Sequence, residues 1–160
     1  MSHSPLTLTA PGSQLCASLL KQGLRVRVRV SGTSMAPLLT LDDVVSLTPV
    51  KSEQLRIGDI VFIQDPLRGF YLHRLIRSFT GNTERLFQTR GHRHWRLDDP
   101  VSADQILARV TNIEHHQAKP LYWSWLARAN PLWARVQFCQ SACYYLKLSL
   151  AQKLQRRHFF

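Results

Sequence analysis

A chain of 160 residues with 21 Lys and Arg against 10 Asp and Glu has a formal charge of +11, and its 44 % apolar content is enough to bury a real core. No stretch approaches 18 uncharged apolar residues, and no charged start leads into an apolar run, so neither a spanning helix nor a secretory signal peptide is expected. The basic excess predicts an anionic partner, nucleic acid or a lipid surface. The chain is expected in the cytoplasm or at the periphery of a membrane.

Residues 1–24 form an N-terminal segment. Its first dozen residues read as a loose polar start, and SQLCASLLKQG reads as a short helix with Ser13 as N-cap and Gly23 just past its end. Residues 25–116 read as a β domain. LRVRVRV alternates strictly, the period of a strand with valines inward and arginines outward. DDVVSLTPV and GDIVFIQD are apolar runs bounded by Asp, Gly and Pro; FYLHRLIRSF and RLFQTRG are joined across TGNTE, which has the chemistry of a hairpin loop; DQILARVTNIE closes the series. Six or so strands without a long helix between them predict a mainly β domain.

Residues 117–160 form a basic, aromatic-rich tail. Glu114 is the last acidic residue. Asn130 and Pro131 suit a helix start, and Leu132, Val136, Cys139, Cys143, Leu146, Leu150 and Leu154 recur at steps of three and four, so an amphipathic helix is expected. Its apolar stripe has two readings, a face packed on protein and a face lying in an anionic membrane surface. The three cysteines (Cys16, Cys139, Cys143) match no zinc or redox spacing, and reduced thiols are expected. His92, His94, His115 and His116 lack a carboxylate or cysteine at ligand spacing, so no metal and no cofactor are expected.

Chemistry concentrates at VSGTSMAPLL. Serine is a poor nucleophile unless a neighbouring base takes its proton, and a turn after a strand can expose the hydroxyl beside free backbone amides. Alone, Gly-x-Ser-Met reads as a turn serine. His73, in an otherwise apolar strand with Tyr71 and Leu75 on its face, supplies a group suited to base work near neutral pH. Arg74 beside it does not, because guanidinium keeps its proton.

SGTSMAPLL, RIGDIVFI, YLHRLI and TRGHRHWRLDDPV…ILARV stand in the order of the boxes of the signal peptidase I clan, and the chain resembles the branch of that clan whose general base is histidine. The resemblance spans about residues 25 to 113. It implies a coiled antiparallel sheet or partly open β-barrel of the signal peptidase/LexA type, with Ser34 as nucleophile and His73 as base. Asp98 or Asp99 would orient the imidazole, and the Ser34 amide would serve the oxyanion hole; Gly32 and Asp59 are structural. It also implies a serine endopeptidase that cleaves an extended segment of a precursor or leader peptide by acyl transfer, with small side chains preferred before the cut. Three departures accompany it. His92 stands where the family often has an acid, Gly32 stands where some relatives have a hydroxyl, and no spanning helix is apparent. LexA-like regulators share the Ser-Met pair but have lysine where His73 stands. The rival reading is a non-catalytic module of the same fold that binds anionic lipid or nucleic acid, of which nucleic acid is the less expected.

Overall fold

The computed structural model describes residues 5–81 and 84–117 and, farther on, Leu132, Arg135, Val136, Phe138, Cys139, Gln140 and Cys143. Among these, one seven-stranded mixed sheet dominates. Its strands are β1 (Leu6–Thr7), β2 (Val26–Arg29), β3 (Val44–Pro49), β4 (Ile60–Asp65), β5 (Gly69–Thr80), β6 (Arg85–Arg90) and β7 (Ile106–Glu114), and one helix, α1 (Ala10–Lys21), lies between β1 and β2. The spatial order is β1-β2-β3-β7-β4-β5-β6, so the sheet is open rather than closed into a barrel.

Every strand expected from the sequence is present. The sheet is mixed rather than purely antiparallel because Leu6 and Thr7, within the stretch read as a loose start, pair parallel with Val28 and Arg29. The helix also begins earlier than expected. Thr9 is its N-cap, with Pro11 in the first turn where its missing N–H is harmless, and Ser13 lies buried inside the helix, donating its amide to the Thr9 carbonyl. At the other end Gly23 adopts φ 83°, and the amides of Gly23 and Leu24 bond back to the carbonyls of Leu20 and Leu19, a Schellman closure that favours glycine.

Strand alternation sorts the core. In β2 Val26 and Val28 are buried while Arg27 and Arg29 are half-exposed. β4 is buried on both faces. Ile60 and Phe62 join Val28, Met35, Leu38, Leu39, Val45, Leu47 and helix residues Cys16 and Leu20, whereas Val61 and Ile63 join Leu75, Phe87, Val101 and Ile106. A continuous apolar run in a central strand is what two covered faces require. Burial pushes the Cys16 thiol up to about 12, which leaves it inert as a nucleophile.

Of the tail, Leu132, Val136, Cys139 and Cys143, four members of the expected apolar stripe, are exposed on this chain. Phe138 instead packs against Ile76 and Leu97 under the Arg77 guanidinium, and Gln140 accepts from Arg90. The rest of the stripe (Leu146, Leu150, Leu154) and the expected helix start at Asn130 and Pro131 lie outside the described residues. No helix among the described residues is long and apolar enough to cross a membrane.

Candidate active site

Ser34 sits on an excursion between β2 and β3. The Val30 amide donates to the Asp43 carbonyl and the Asp42 amide to the Val30 carbonyl, which pinches the two ends of the excursion together. Asp43, fully buried, accepts from the Thr40 amide, and its carboxylate also meets His115 Nδ1 and the His116 amide. Between these ends Met35, Leu38 and Leu39 are sunk in the core. The apolar residues after Ser34 therefore anchor the excursion and leave the serine half-buried at its surface.

His73 is 1 % exposed and pairs with Val61 across β4 and β5. Its Nδ1 lies 2.6 Å from Asp98 Oδ2, which also accepts from Thr89 Oγ1 at 2.8 Å, while Arg68 Nη1 donates to Asp98 Oδ1 at 2.9 Å. Asp98 itself is fixed by its amide bonding to the Thr89 carbonyl. Burial pushes the Asp98 carboxyl up, but the hydrogen bond and charge of His73, with the donors on Thr89 and Arg68, outweigh it and hold the group below its ordinary value. An ionised acceptor at Nδ1 places the ring proton there and the lone pair on Nε2. Asp99, the other aspartate of the expected pair, is exposed. The structure thus joins Asp98 to the histidine and leaves Asp99 outside.

Gly91 reports where Nε2 lies. A Cβ built on Gly91 would stand 2.9 Å from His73 Nε2, 2.9 Å from the Ser34 carbonyl oxygen and 3.2 Å from His94 Nδ1. Nε2 and the Ser34 carbonyl are therefore no farther apart than twice 2.9 Å. The loop after Gly91 closes over the same spot, with the Arg93 amide donating to the Ser34 carbonyl and the His94 amide to the Gly91 carbonyl. Ser34 Oγ makes no hydrogen bond among the described residues, so the serine and imidazole share a neighbourhood without being bonded. Such contacts are often open until a substrate arrives.

Residues that carried no signal in the sequence complete the site. Arg68 stacks on the Tyr71 ring at 4.6 Å, and that ring lies 4.8 Å from the imidazole of His73. Burial, seconded by the Asp98 charge, pushes the Tyr71 phenol up to about 12, so it stays neutral. Only long-range folding reveals these partners, because Arg68 belongs to a hairpin turn and Thr89 to an unremarkable strand position. Asp59 caps its turn by accepting the Arg56 amide, as the structural reading expects. Gly32 has open space around it.

No protein-family model and no curated protein matches this chain.

The four histidines weighed as metal ligands separate. His94 lies beside His73, His115 and His116 bind Asp43, and His92 lies against Arg74, so the described residues hold no group of three or more ligands. Arg74 is fully buried, donates to the Gly58 carbonyl at 2.6 Å, and meets His92 Nε2 through Nη2 at 3.3 Å. Burial first, then the charges of Arg74 and Arg90, push the His92 imidazole down to about 3. At position 92 a neutral imidazole thus accepts from a buried guanidinium.

That arrangement sets a pH dependence. An unfolded histidine takes a proton below about 6.5, while folded His92 refuses it down to about 3, so the unfolded state gains protons first and stability falls as pH drops through that window. The loss should reach a few kcal/mol toward the bottom of the window, by the order of magnitude of such shifts. His92→Gln keeps an acceptor for Arg74 and cannot titrate. Urea midpoints at pH 7 and pH 4.5 should therefore fall less for His92→Gln than for the parent; parallel falls would show that His92 is not the titrating group.

Proposed function

We propose that this chain is a serine endopeptidase of the signal peptidase/LexA fold type, in which His73, held by Asp98, takes the proton of Ser34 as it attacks the carbonyl of an extended precursor or leader peptide. The observation that carries the reading is the buried 2.6 Å contact of His73 Nδ1 with Asp98, which leaves the basic Nε2 facing Gly91 and the Ser34 carbonyl. The sequence had named the same histidine and serine from the order of its motifs. In the acyl-transfer cycle the imidazole receives the hydroxyl proton, the Asp98 carboxylate steadies the resulting imidazolium, and the same proton passes to the leaving amine. The Ser34 amide, which has no backbone partner among the described residues, would donate to the oxyanion in this reading. Arg68 and Thr89 are positioning residues that keep the carboxylate aimed at Nδ1.

The test is covalent. A fluorophosphonate probe incubated with the purified chain should add its phosphonyl group to Ser34, located by peptide mass mapping, and the adduct should be absent from Ser34→Ala and His73→Ala. Unchanged labelling in either variant refutes the pair.

A second reading is favoured by the open Ser34 hydroxyl together with the charge of +11: a non-catalytic module of the same fold that holds an anionic lipid surface. Vesicles containing anionic lipid should then co-sediment the protein, with retention falling as salt is added, while Ser34 stays unlabelled.

A further inference from the structure

Beside the buried carboxylate lies a cavity of about 300 Å³ lined by Arg68, His94, Arg96, Leu97, Asp98 and Asp99. We propose that this cavity binds an acidic side chain of the peptide substrate, a reading that rests on Ser34 and His73 acting as a peptidase pair and assigns that site a substrate class.

The argument begins with which charges are already committed. Both oxygens of Asp98 are engaged, Oδ2 by His73 and Thr89 and Oδ1 by Arg68, so its charge is spent inside the site. Asp99 is exposed and forms no ion pair with either arginine of the lining. Arg96 is exposed and has neither a hydrogen-bond nor an ion-pair partner among the described residues. Arg68 has a half-exposed side chain and offers Asp98 one contact, while a guanidinium carries five N–H donors in a planar fork suited to carboxylates. Leu97, largely buried, gives the apolar wall against which the methylenes of a glutamate would lie.

His94 lines the same cavity and feels the cations around it. Burial first, and then the charge of His73, pushes the His94 imidazole down; Arg68 and Arg90 add to the effect, and Asp98 alone opposes it. An acidic group entering the cavity would meet Arg68 and Arg96, and the chain's overall positive charge steers anionic segments toward it. A lysine or arginine side chain would instead meet Arg68 and Arg96 head on.

The experiment measures binding, independent of turnover. Calorimetry is run on the full Ser34→Ala chain with extended peptides in which one Gln is replaced by Glu at each successive position. Glu should bind about tenfold tighter than Gln at one or two adjacent positions, the scale of one charge-assisted contact. Arg96→Ala should erase that gain and Arg96→Glu reverse it, whereas Arg25→Ala, toward the opposite end of the sheet order from β5, should leave it intact. An equal gain at every position, a gain that survives Arg96→Ala, or no peptide binding at all overturns the subsite. Failure of Ser34 to take the phosphonyl probe would sink the peptidase reading while leaving this binding result standing.

Discussion

Asp98→Asn should slow phosphonylation of Ser34 by about four orders of magnitude, the loss seen when a triad carboxylate becomes an amide. All three groups around Asp98 are donors: His73 Nδ1–H, Thr89 Oγ1–H and Arg68 Nη1–H. A carboxylate accepts from all three, but an amide offers one acceptor atom and one donor group. If the amide oxygen faces His73 and Thr89, its NH2 is forced against the Arg68 guanidinium. If the oxygen faces Arg68, the NH2 confronts Nδ1 and drives the ring proton to Nε2, the tautomer that cannot take a proton from serine. Charge assistance makes the Arg68 bond the stronger claim, so the second arrangement wins.

This argument predicts a rescue. Adding Arg68→Ala to Asp98→Asn frees the amide to turn its oxygen toward His73 and Thr89, so the double variant should label faster than the single one. In the parent background Arg68→Ala should slow labelling, since the carboxylate loses one of its orienting donors. A purely structural role for Asp98 predicts the opposite order, with the double variant the slower. Rates of probe incorporation at saturating probe decide between them.

The parts of this site that were legible in the sequence are those governed by period and local chemistry. The Val-Arg alternation of β2, the apolar run of β4 and the placing of Tyr71, His73 and Leu75 on one side of β5 follow from a repeat of two. Gly23 follows from helix closure. What period cannot express is pairing at a distance. Asp98 and Asp99 are neighbours of identical chemistry, and only the backbone bond between Asp98 and Thr89 separates the one beside His73 from the one in solvent. Arg68 and Thr89 come from different strands and turns, and no spacing links either to residue 98.

Burial of charge was equally hidden. Arg74 and Arg90 stand opposite each other across β5 and β6, and both are buried. Pattern reading assigns arginine to solvent because an unpaired buried cation is costly. Here the Gly58 carbonyl and the His92 nitrogen receive Arg74, and Gln140 receives Arg90. Burial pushes the Arg74 guanidinium down to about 10, which still leaves it charged at neutral pH. In the tail, steps of three and four mark one side as apolar; off that stripe, Phe138 packs against Ile76 and Leu97 and Gln140 accepts from Arg90, contacts that no period announces.

Gly91→Ala should reduce labelling of Ser34 to below about one per cent and lower stability by about 1–3 kcal/mol, the range for an added methyl group in a packed site. Gly91 has no positive φ, so its need for glycine comes from space alone. The new Cβ would press on His73 Nε2 and on the Ser34 carbonyl oxygen at 2.9 Å each. Neither can retreat cheaply: the imidazole is held by Asp98 at 2.6 Å and backed by the Tyr71 ring, and the carbonyl is main chain bonded to the Arg93 amide. On the proposed Ser34–His73 pairing the methyl group would crowd the space beside Nε2, so activity should fall far more than stability. Gly32→Ala is the control, because a Cβ there meets nothing within 4 Å. It should fold as the parent does. If Gly91→Ala labels at the parental rate while Gly32→Ala also does, the space between residues 34, 73 and 91 is not where the proton moves, and the base must approach the serine from another side.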